Sequence, residues 1–218
     1  MSEYVSPRIS VHGDGISTFA GYTDPTQSYY SERTAKTSGF DSADGTWWMK
    51  LTKMLGGSFV GNGAAHGSYV SMTAQYPAFL PGRIRRLANG DVSPEIILVY
   101  TGINDVIDNI EVEPFRRDYV KMIENLKKFF PEAEIWCGTL VKSKGPILYE
   151  MIKENDLDNI EVYNEIIRNC VKETGVKLAD LAAQGVAYES FNRLHPNEAG
   201  MTTFAEAWRK NLKGEIYY

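Results

Sequence analysis

Five short apolar segments recur along this 218-residue chain, and they constrain its fold more than any other feature. Patterns of helical spacing separate them. Strands that are apolar throughout are buried on both faces, and strands that alternate with helices pair in parallel. We therefore predict one domain over residues 1–218, a three-layer α/β/α, doubly wound (flavodoxin-like) fold with about five parallel strands. The expected strands are Ile9–Val11, Ser58–Gly61, Ile96–Tyr100, Ile135–Cys137 and Val176–Leu178.

Start and stop signals set the expected bounds of the helices. One helix is predicted over Thr46–Leu55, with Asp44 as its N-cap and Gly56 as its stop. A second helix is expected from Pro114 to Pro131. A third stops at Gly175 and carries an apolar stripe of Val162, Ile166, Ile167 and Cys170. The last begins at Pro196 and runs through Phe204 and Trp208.

The segment Ala20–Asp44 is the exception to this regular pattern. It has no periodicity, and it follows the carboxyl end of the first strand. Long loops in compact domains are usually functional or disordered, and open α/β sheets bind ligands at the carboxyl ends of their strands. We expect a substrate-side loop over residues 20–44, with Tyr22, Tyr29 and Tyr30 as candidate pocket walls. The alternative is that these rings only anchor the loop.

Composition narrows the class of partner. A formal net charge of -5 argues against nucleic acid and anionic membrane, which both favour basic surfaces, so we expect a small-molecule substrate. Cys137 and Cys170 lack a framework spacing, which predicts reduced thiols. No apolar run reaches the length of a transmembrane helix, and the polar segment Met1–Arg8 leaves no room for a signal peptide. A cytoplasmic location is the expectation; the oligomeric state is left open.

Four polar blocks fall next to predicted strand ends or before the last helix. The first is Gly13-Asp14-Gly15-Ile16-Ser17, and the second is Asn62-Gly63-Ala64-Ala65-His66-Gly67. The third is Tyr100-Thr101-Gly102-Ile103-Asn104-Asp105, and the fourth is Phe191-Asn192-Arg193-Leu194-His195-Pro196-Asn197-Glu198-Ala199-Gly200. A doubly wound sheet brings such blocks together at one edge. Each is weak alone, but the four in this order indicate a single site.

With these blocks the chain resembles the SGNH (GDSL-type) hydrolases over nearly its whole length. The Thr-Trp-Trp-Met segment at 46–49 looks similar to a carbohydrate-esterase-like branch. The resemblance implies the SGNH-hydrolase fold and acyl transfer through serine, histidine and aspartate. It further implies that Gly67 and Asn104 are oxyanion donors and that His195 is the base. It implies ligand-side positions for Asp14 and Ile103, and no cofactor.

The chain departs from that pattern at two coupled positions. Gly15 stands at the nucleophile position and has no side-chain oxygen, so the acyl-enzyme route is closed there. Asn192 stands at the aspartate position, where we expect its amide oxygen to orient His195 without stabilising an imidazolium. Either natural divergence or an introduced change accounts for Gly15. Ser17 is a candidate substitute or binding group; the simpler interpretation is a hydroxyl that caps the following turn.

The three histidines, His12, His66 and His195, all fall inside these blocks. His195 is expected to act as a base on water or a substrate hydroxyl, with His66 as a second acid or base. A three-histidine metal site is an open but less favoured alternative, so no metal is expected. Asp14 and Asp105 fit structural hydrogen-bond acceptors, and Asp180 is a candidate replacement for the missing carboxylate.

Three hypotheses follow from these observations. The first is an esterase-like acyl hydrolase for a small O-acylated, carbohydrate-like substrate, with Gly15 in place of the serine. The second is a diverged enzyme that uses His195 and His66 in non-covalent acid–base chemistry. The third is a non-catalytic protein that binds a small molecule.

Overall fold

A computed structural model describes residues 6–72, 76–145, 148–153 and 155–212. Its main sheet has five parallel strands in the order β2-β1-β3-β4-β6. The seven strands, in chain order, are β1 Arg8–Gly13, β2 Ser58–Asn62, β3 Ile96–Tyr100, β4 Glu134–Gly138, β5 Ser143–Lys144, β6 Lys177–Ala179 and β7 Tyr188–Glu189. The five-stranded parallel sheet predicted from the apolar segments is confirmed.

Helices cover both faces of this sheet, as the three-layer expectation requires. Helix α2 packs against α7, while α5 packs against α6 and α3. The helices are α1 Ala35–Ser38, α2 Trp47–Met54, α3 Pro81–Arg85, α4 Ile103–Ile107, α5 Val112–Phe129, α6 Ile160–Thr174 and α7 Glu198–Leu212. The small pair β5–β7 is parallel and lies outside the main sheet; neither it nor α1, α3 and α4 was predicted.

The core explains why the strands are apolar throughout. All five residues of β3 are buried, because this strand lies in the middle of the sheet with helices on both sides. On one face the indole rings of Trp47 and Trp208 stack with centroids 5.3 Å apart and join α2 to α7. Cys137 and Cys170 are free and buried, as the spacing predicted.

Asp44 does not cap α2, contrary to the sequence prediction. The cap is Thr46, whose hydroxyl accepts a hydrogen bond from the amide of Met49 and donates one to the carbonyl of Ala43. Asp44 lies in a single 3-10 turn, Ala43–Gly45, and forms an exposed ion pair with Lys53. The N-cap is therefore Thr46, the polar residue directly before the first helical position, and not Asp44, two residues earlier.

Three other helix predictions differ from the structure. Helix α5 begins at Val112, because Pro114 then lies in the first turn, where no backbone amide needs an intrahelical acceptor. Helix α7 begins at Glu198, since Asn197 accepts a hydrogen bond from the amide of Gly200 and caps it. Val162 is 50% exposed, because α6 turns Tyr163 and Ile167 toward the core instead.

The loop over 20–44 is not periodic, but it is held by specific contacts. It contains two 3-10 turns and the short helix α1. The amide of Ala20 donates to the carbonyl of Tyr30, and the Tyr30 hydroxyl donates to the carbonyl of Pro196. The loop is therefore tied to the segment that precedes α7.

None of the helices in the described part of the chain is both long and apolar enough to cross a membrane. The prediction about a signal peptide concerns the N-terminal segment, of which residues 1–5 lie outside the described residues.

The two possible caps of α2 give a test of the fold. Thr46→Ala removes the hydroxyl that caps the helix, so we expect the free energy of unfolding to fall by about 1 kcal/mol. Asp44→Ala removes only an exposed ion pair and should cost less than about 0.5 kcal/mol. Urea unfolding of both variants measures the difference; a larger effect from Asp44→Ala would contradict the assigned cap.

Candidate active site

The four polar blocks converge at the carboxyl edge of the main sheet. Gly15 opens a 3-10 turn, Gly15–Ser17, directly after β1, and the Asp14 carboxylate caps this turn by accepting from the amide of Ile16 at 3.0 Å. His66 follows β2, and its amide donates to the carbonyl of Gln27 in the long loop. His195 arrives from the other end of the chain, in the segment before α7.

The space above Gly15 is occupied by two imidazole rings. A Cβ atom built on Gly15 would lie 2.7 Å from Nδ1 of His66 and 3.1 Å from Nε2 of His195. The first distance is shorter than any ordinary contact, so a side chain at position 15 and the present position of His66 exclude each other. The absence of a Cβ on Gly15 therefore makes room for the His66 ring.

The Asn192 side chain fixes the proton position on His195. Its Oδ1 accepts hydrogen bonds from the backbone amides of Leu194 and His195, at 3.2 and 2.7 Å. Its Nδ2 faces Nδ1 of His195 at 3.1 Å. If the amide were flipped, its NH2 group would face the two backbone N–H donors. Its orientation is therefore fixed, and Nδ1 of His195 must accept a hydrogen bond from Nδ2 of Asn192. The neutral ring then carries its proton on Nε2, toward Gly15.

This arrangement corrects the expected role of Asn192. Its amide oxygen does not contact the imidazole, because two backbone amides already use it. Burial first, and the neighbouring His66 second, lower the pKa of His195 well below its usual value. At neutral pH His195 is thus a neutral ring that offers an N–H donor, not a free base, at Nε2.

Tyr29 from the long loop covers His195. The two rings stack nearly parallel, at 7°, with their centroids 3.4 Å apart, and His195 is 1% exposed. The Tyr29 hydroxyl accepts a hydrogen bond from Nδ2 of Asn192 at 2.8 Å and lies 3.4 Å from the hydroxyl of Tyr149. Burial is the main reason that the pKa of Tyr29 is raised, so its hydroxyl stays protonated.

Hydrogen-bond donors line the other side of the site. The Asn104 side chain donates to the carbonyl of Ser68 at 2.7 Å, which fixes its position beside the Gly67 turn. Gly67 is exposed and has a φ of 69°, a backbone conformation that favours glycine. Asp105 accepts from the amides of Val70 and Ser71 at 2.8 and 3.1 Å. It holds this loop in place, which fits the structural role expected for it.

Asp14 is buried beneath the turn that carries Gly15. Burial raises the pKa of its carboxyl to about 7, although the hydrogen bond from the amide of Ile16 and the charge of Arg83 oppose the shift. Arg83 is itself buried and donates to the carbonyl of Gly13 at 2.5 Å. A carboxyl that titrates near neutrality therefore lies directly under the site.

His12 does not join the other two histidines. Its Nε2 contacts the carbonyl of Ala78 at 2.8 Å, and burial, followed by the charge of Arg83, lowers its pKa to about 3. His12 is therefore not part of a cluster with His66 and His195, contrary to the arrangement that a three-histidine site requires. Within the described residues, no group of three or more histidine, cysteine or acidic side chains is placed to hold a metal ion.

Several other predicted site residues lie elsewhere. Ser17 is fully buried and accepts a hydrogen bond from the Trp47 indole at 3.2 Å, so it neither faces Gly15 nor caps the turn. Tyr22 packs on Trp48 and Phe59 at the β2 edge, away from His195. The remaining three are held as follows: Tyr30 is buried behind the His195 ring, Ile103 is buried at the start of α4, and Asp180 pairs with Arg168.

The sequence interpretation missed two neighbours of the site. Tyr149 reaches the Tyr29 hydroxyl, and the sulfur of Met151 lies 3.4 Å from Nδ2 of Asn192. Backbone hydrogen bonds from Leu148 and Met151 to Phe191 and Asn192 hold this segment against the site. The segment has no periodicity and no motif, so the sequence offers no signal for it.

The structure combines a parallel α/β sheet with His66, Asn104 and His195 at the carboxyl edge of that sheet. The chain belongs to the GDSL-like lipase/acylhydrolase family, whose model matches residues 7–212. No curated protein sequence matches it.

Solved structures share the fold at low sequence identity. A structure described as a GDSL-like lipase from Bacteroides uniformis has 19% identity and a TM-score of 0.69, with 96% of each chain covered. A member of the lipolytic G-D-S-L family from Veillonella parvula has 18% identity and a TM-score of 0.61, covering 94% of this chain and 98% of that one. TesA has 17% identity and a TM-score of 0.62, covering 96% and 99%. These matches show that the chain has the SGNH-hydrolase fold.

The buried carboxyl of Asp14 makes stability depend on pH. The folded chain keeps a proton there up to about pH 7, whereas the unfolded chain releases it near the ordinary aspartate pKa of 3.8. Raising the pH between these values therefore destabilises the wild type through this group. We expect Asp14→Asn to gain stability relative to wild type across this range, by more than about 1 kcal/mol. Thermal melts from pH 4 to 8 measure the difference, with exposed Asp91→Asn as the control, and a difference independent of pH would contradict the shift.

The tautomer of His195 is directly measurable. Long-range ¹⁵N–¹H NMR should show a neutral His195 with its proton on Nε2 at pH 6. Asn192→Asp supplies an oxygen acceptor at Nδ1, so the proton should move to Nδ1 and the pKa of the ring should rise. His12, which donates from Nε2 to Ala78, serves as an internal reference that the substitution leaves unchanged. A proton on Nδ1 in the wild type would disprove the assigned orientation of Asn192.

Proposed function

We propose that this chain binds a small O-acylated molecule, or the carboxylate released from it, through the acyl oxygen and without forming an acyl-enzyme. In this proposal Gly15 occupies the nucleophile position of the family, and Asn192 occupies the position of the orienting carboxylate. The acyl oxygen accepts hydrogen bonds from the amides of Gly15 and Gly67 and from Nδ2 of Asn104, groups that serve oxyanions well.

The orientation of Asn192 is the observation that carries this proposal. Because Nδ1 of His195 accepts a hydrogen from Asn192, Nε2 is a donor that points toward Gly15. An ordinary serine hydrolase needs an acceptor at this atom to take the serine proton. In the proposed complex Nε2 of His195 is instead one more hydrogen-bond donor to the acyl oxygen. A site made of donors suits a carbonyl or carboxylate oxygen, and it lacks both the nucleophile and its base.

The ligand enters where the His66 ring now lies. His66 is partly exposed, and its ring packs beside Tyr29 with centroids 4.9 Å apart. In this proposal the His66 ring rotates toward solvent and uncovers Gly15. The ring and the acyl group are thus alternative occupants of the space that the missing Cβ leaves.

The alcohol half of the ligand is less constrained by the described contacts. Trp47 and Trp48, in the segment that suggested a carbohydrate ester, are both fully buried and belong to the core. They offer no ring for a sugar to stack on. Our proposal therefore concerns the acyl half, and a carbohydrate-like alcohol stays an expectation from the resemblance.

Water-based hydrolysis is a second candidate function, favoured by the position of His66. Burial lowers the pKa of His66, so its ring is neutral at pH 7 and Nδ1 is available as a base. Nδ1 would take a proton from water while the water oxygen adds to the acyl carbon. The His66 imidazolium would then return this proton to the leaving alkoxide, which restores the neutral ring, while Nε2 of His195 would donate a hydrogen bond to the oxyanion and keep its proton.

A titration with butyrate and p-nitrophenyl butyrate tests both candidates. The amide signals of Gly67 and the side-chain signals of Asn104 should shift in ¹⁵N–¹H spectra, and Asn104→Ala should weaken butyrate binding about tenfold. Asn211→Ala, a change of the same type on α7, serves as the control. Intact mass spectra should show no butyryl adduct on the wild type. Steady hydrolysis that His66→Ala abolishes without loss of binding would establish the second candidate.

Restoring the triad provides the positive control for this test. Gly15→Ser requires the ring of His66 to leave, so it is combined with His66→Ala and Asn192→Asp. This triple variant should show a burst of p-nitrophenolate and a rate at least about 10²-fold above wild type. A butyryl adduct on the wild type, or the absence of any shift at Gly67, would contradict the proposed binding mode.

A further inference from the structure

A second cavity lies beside the segment that leads from β2 to His66. Its volume is about 290 Å³, the volume of roughly ten water molecules in the liquid. Its polar lining comes from four side chains, Asp24, Gln27, Arg83 and Arg86, with Tyr76 at its rim. None of the groups that surround Gly15 lines it, so it is separate from the acyl site.

Arg83 is a buried cation in the wall of this cavity. It is 6% exposed and donates to the carbonyls of Gly63, Tyr76 and Gly13, at 3.0, 2.6 and 2.5 Å. Among the described residues no carboxylate forms an ion pair with it. Three carbonyl dipoles solvate a guanidinium only in part, and a buried charge is costly unless it is paired. Burial lowers the pKa of Arg83 to about 9, so the side chain stays charged at pH 7.

Arg86 brings a second positive charge, one helical turn further along the chain. It pairs with Asp24 at 2.6 Å, and both side chains are partly exposed at the mouth of the cavity. Among the side chains that line the cavity, one carboxylate stands against two guanidinium groups; the buried Asp14, outside the lining, acts on Arg83 but is only partly ionised near neutrality because its pKa is about 7. The cavity is therefore matched to a ligand with a single negative charge.

The rest of the lining is small and apolar. Ala64, Ala65, Leu80 and Gly82 face the same space. A fully hydrated inorganic anion gains little from such walls, whereas a short hydrocarbon chain buries apolar surface there. We propose that this cavity is a binding site for a small organic monocarboxylate, whose carboxylate meets Arg86 in the field of Arg83 and whose short apolar part packs on the alanines and Leu80.

A ¹⁵N–¹H titration of the wild type with sodium butyrate tests whether butyrate binds in this cavity, because the amides that shift show where it binds. The amides of Ala64, Ala65 and Gly82 should shift saturably, and inorganic phosphate at equal ionic strength should shift them at least about fivefold less at equal concentration. Signals of Gly67 and Asn104 report the acyl site instead. Because Ala65 directly precedes His66, variants also tell the two sites apart: Asn104→Ala should leave the shift of Gly82 unchanged, and Arg86→Gln should leave that of Gly67 unchanged. The two proposals therefore fail separately.

Three substitutions around the cavity separate specific binding from surface charge. Arg86→Gln should weaken binding at the alanine amides about tenfold, since it removes a charge-assisted contact. Asp24→Asn frees Arg86 from its ion pair, keeps an oxygen to cap the following turn, and should tighten binding several-fold. Arg85→Gln, on the same helix but stacked on Phe129, is the matched control and should change nothing.

Arg83 itself is left unchanged in this test, because its three backbone contacts hold the fold. Equal weakening by Arg85→Gln and Arg86→Gln would overturn the proposal in favour of a general charge effect. No saturable shift at Ala64, Ala65 and Gly82 would overturn it as well, whatever the acyl site does.

Discussion

The Asn192 side chain accepts hydrogen bonds from the main-chain amides of Leu194 and His195, and this leaves only its NH2 group to face the imidazole. A carboxylate in the same place would accept both backbone bonds and still offer an oxygen to Nδ1 of His195. The loss of one acceptor atom therefore reverses the polarity of the ring. Its Nε2 becomes a donor, and burial beneath Tyr29 keeps the ring neutral. The chemistry of the whole edge follows from this one amide, because every other group around Gly15 is already a donor or an uncharged ring.

Gly15 and the His66 ring share one space at the carboxyl edge of the sheet. The Cβ position of residue 15 is 2.7 Å from Nδ1 of His66, so the ring lies where a serine would exclude it. Protein interiors do not leave such volumes empty, since each lost contact costs dispersion energy. Here the space is filled by the ring of His66, which is partly exposed rather than part of the core. This is the basis for proposing that the ring gives way to a ligand.

The sequence predicted the sheet well and the site only in part. Five consecutive apolar residues predicted that β3 is buried along its whole length. The order of the polar blocks predicted that Gly15, His66 and His195 lie at one edge of the sheet. The direction of the side chains could not be predicted from the sequence. His12 and His66 both lie next to glycine-rich turns, yet only His66 faces Gly15, because the pleat of β1 turns His12 toward Ala78. Likewise the amide orientation of Asn192 depends on backbone amides that no pattern reveals. Tyr149 and Met151 reach the site from a segment without periodicity.

The carbonyl of Gly13 contacts both Arg83, which lines the proposed carboxylate cavity, and the segment that leads to His66. This carbonyl, on the last residue of β1, accepts hydrogen bonds from Nη2 of Arg83 and from the amide of Ala65. The buried cation and the segment before His66 thus share one acceptor. Asp14, the next residue, titrates near neutrality partly because the charge of Arg83 opposes its desolvation. In the proposed complex, a carboxylate near Arg86 would reduce the positive field of Arg83 at Asp14 and so favour the protonated form of Asp14. The proposed carboxylate cavity and the turn that carries Gly15 thus have one buried guanidinium in common, through its contact with the Gly13 carbonyl.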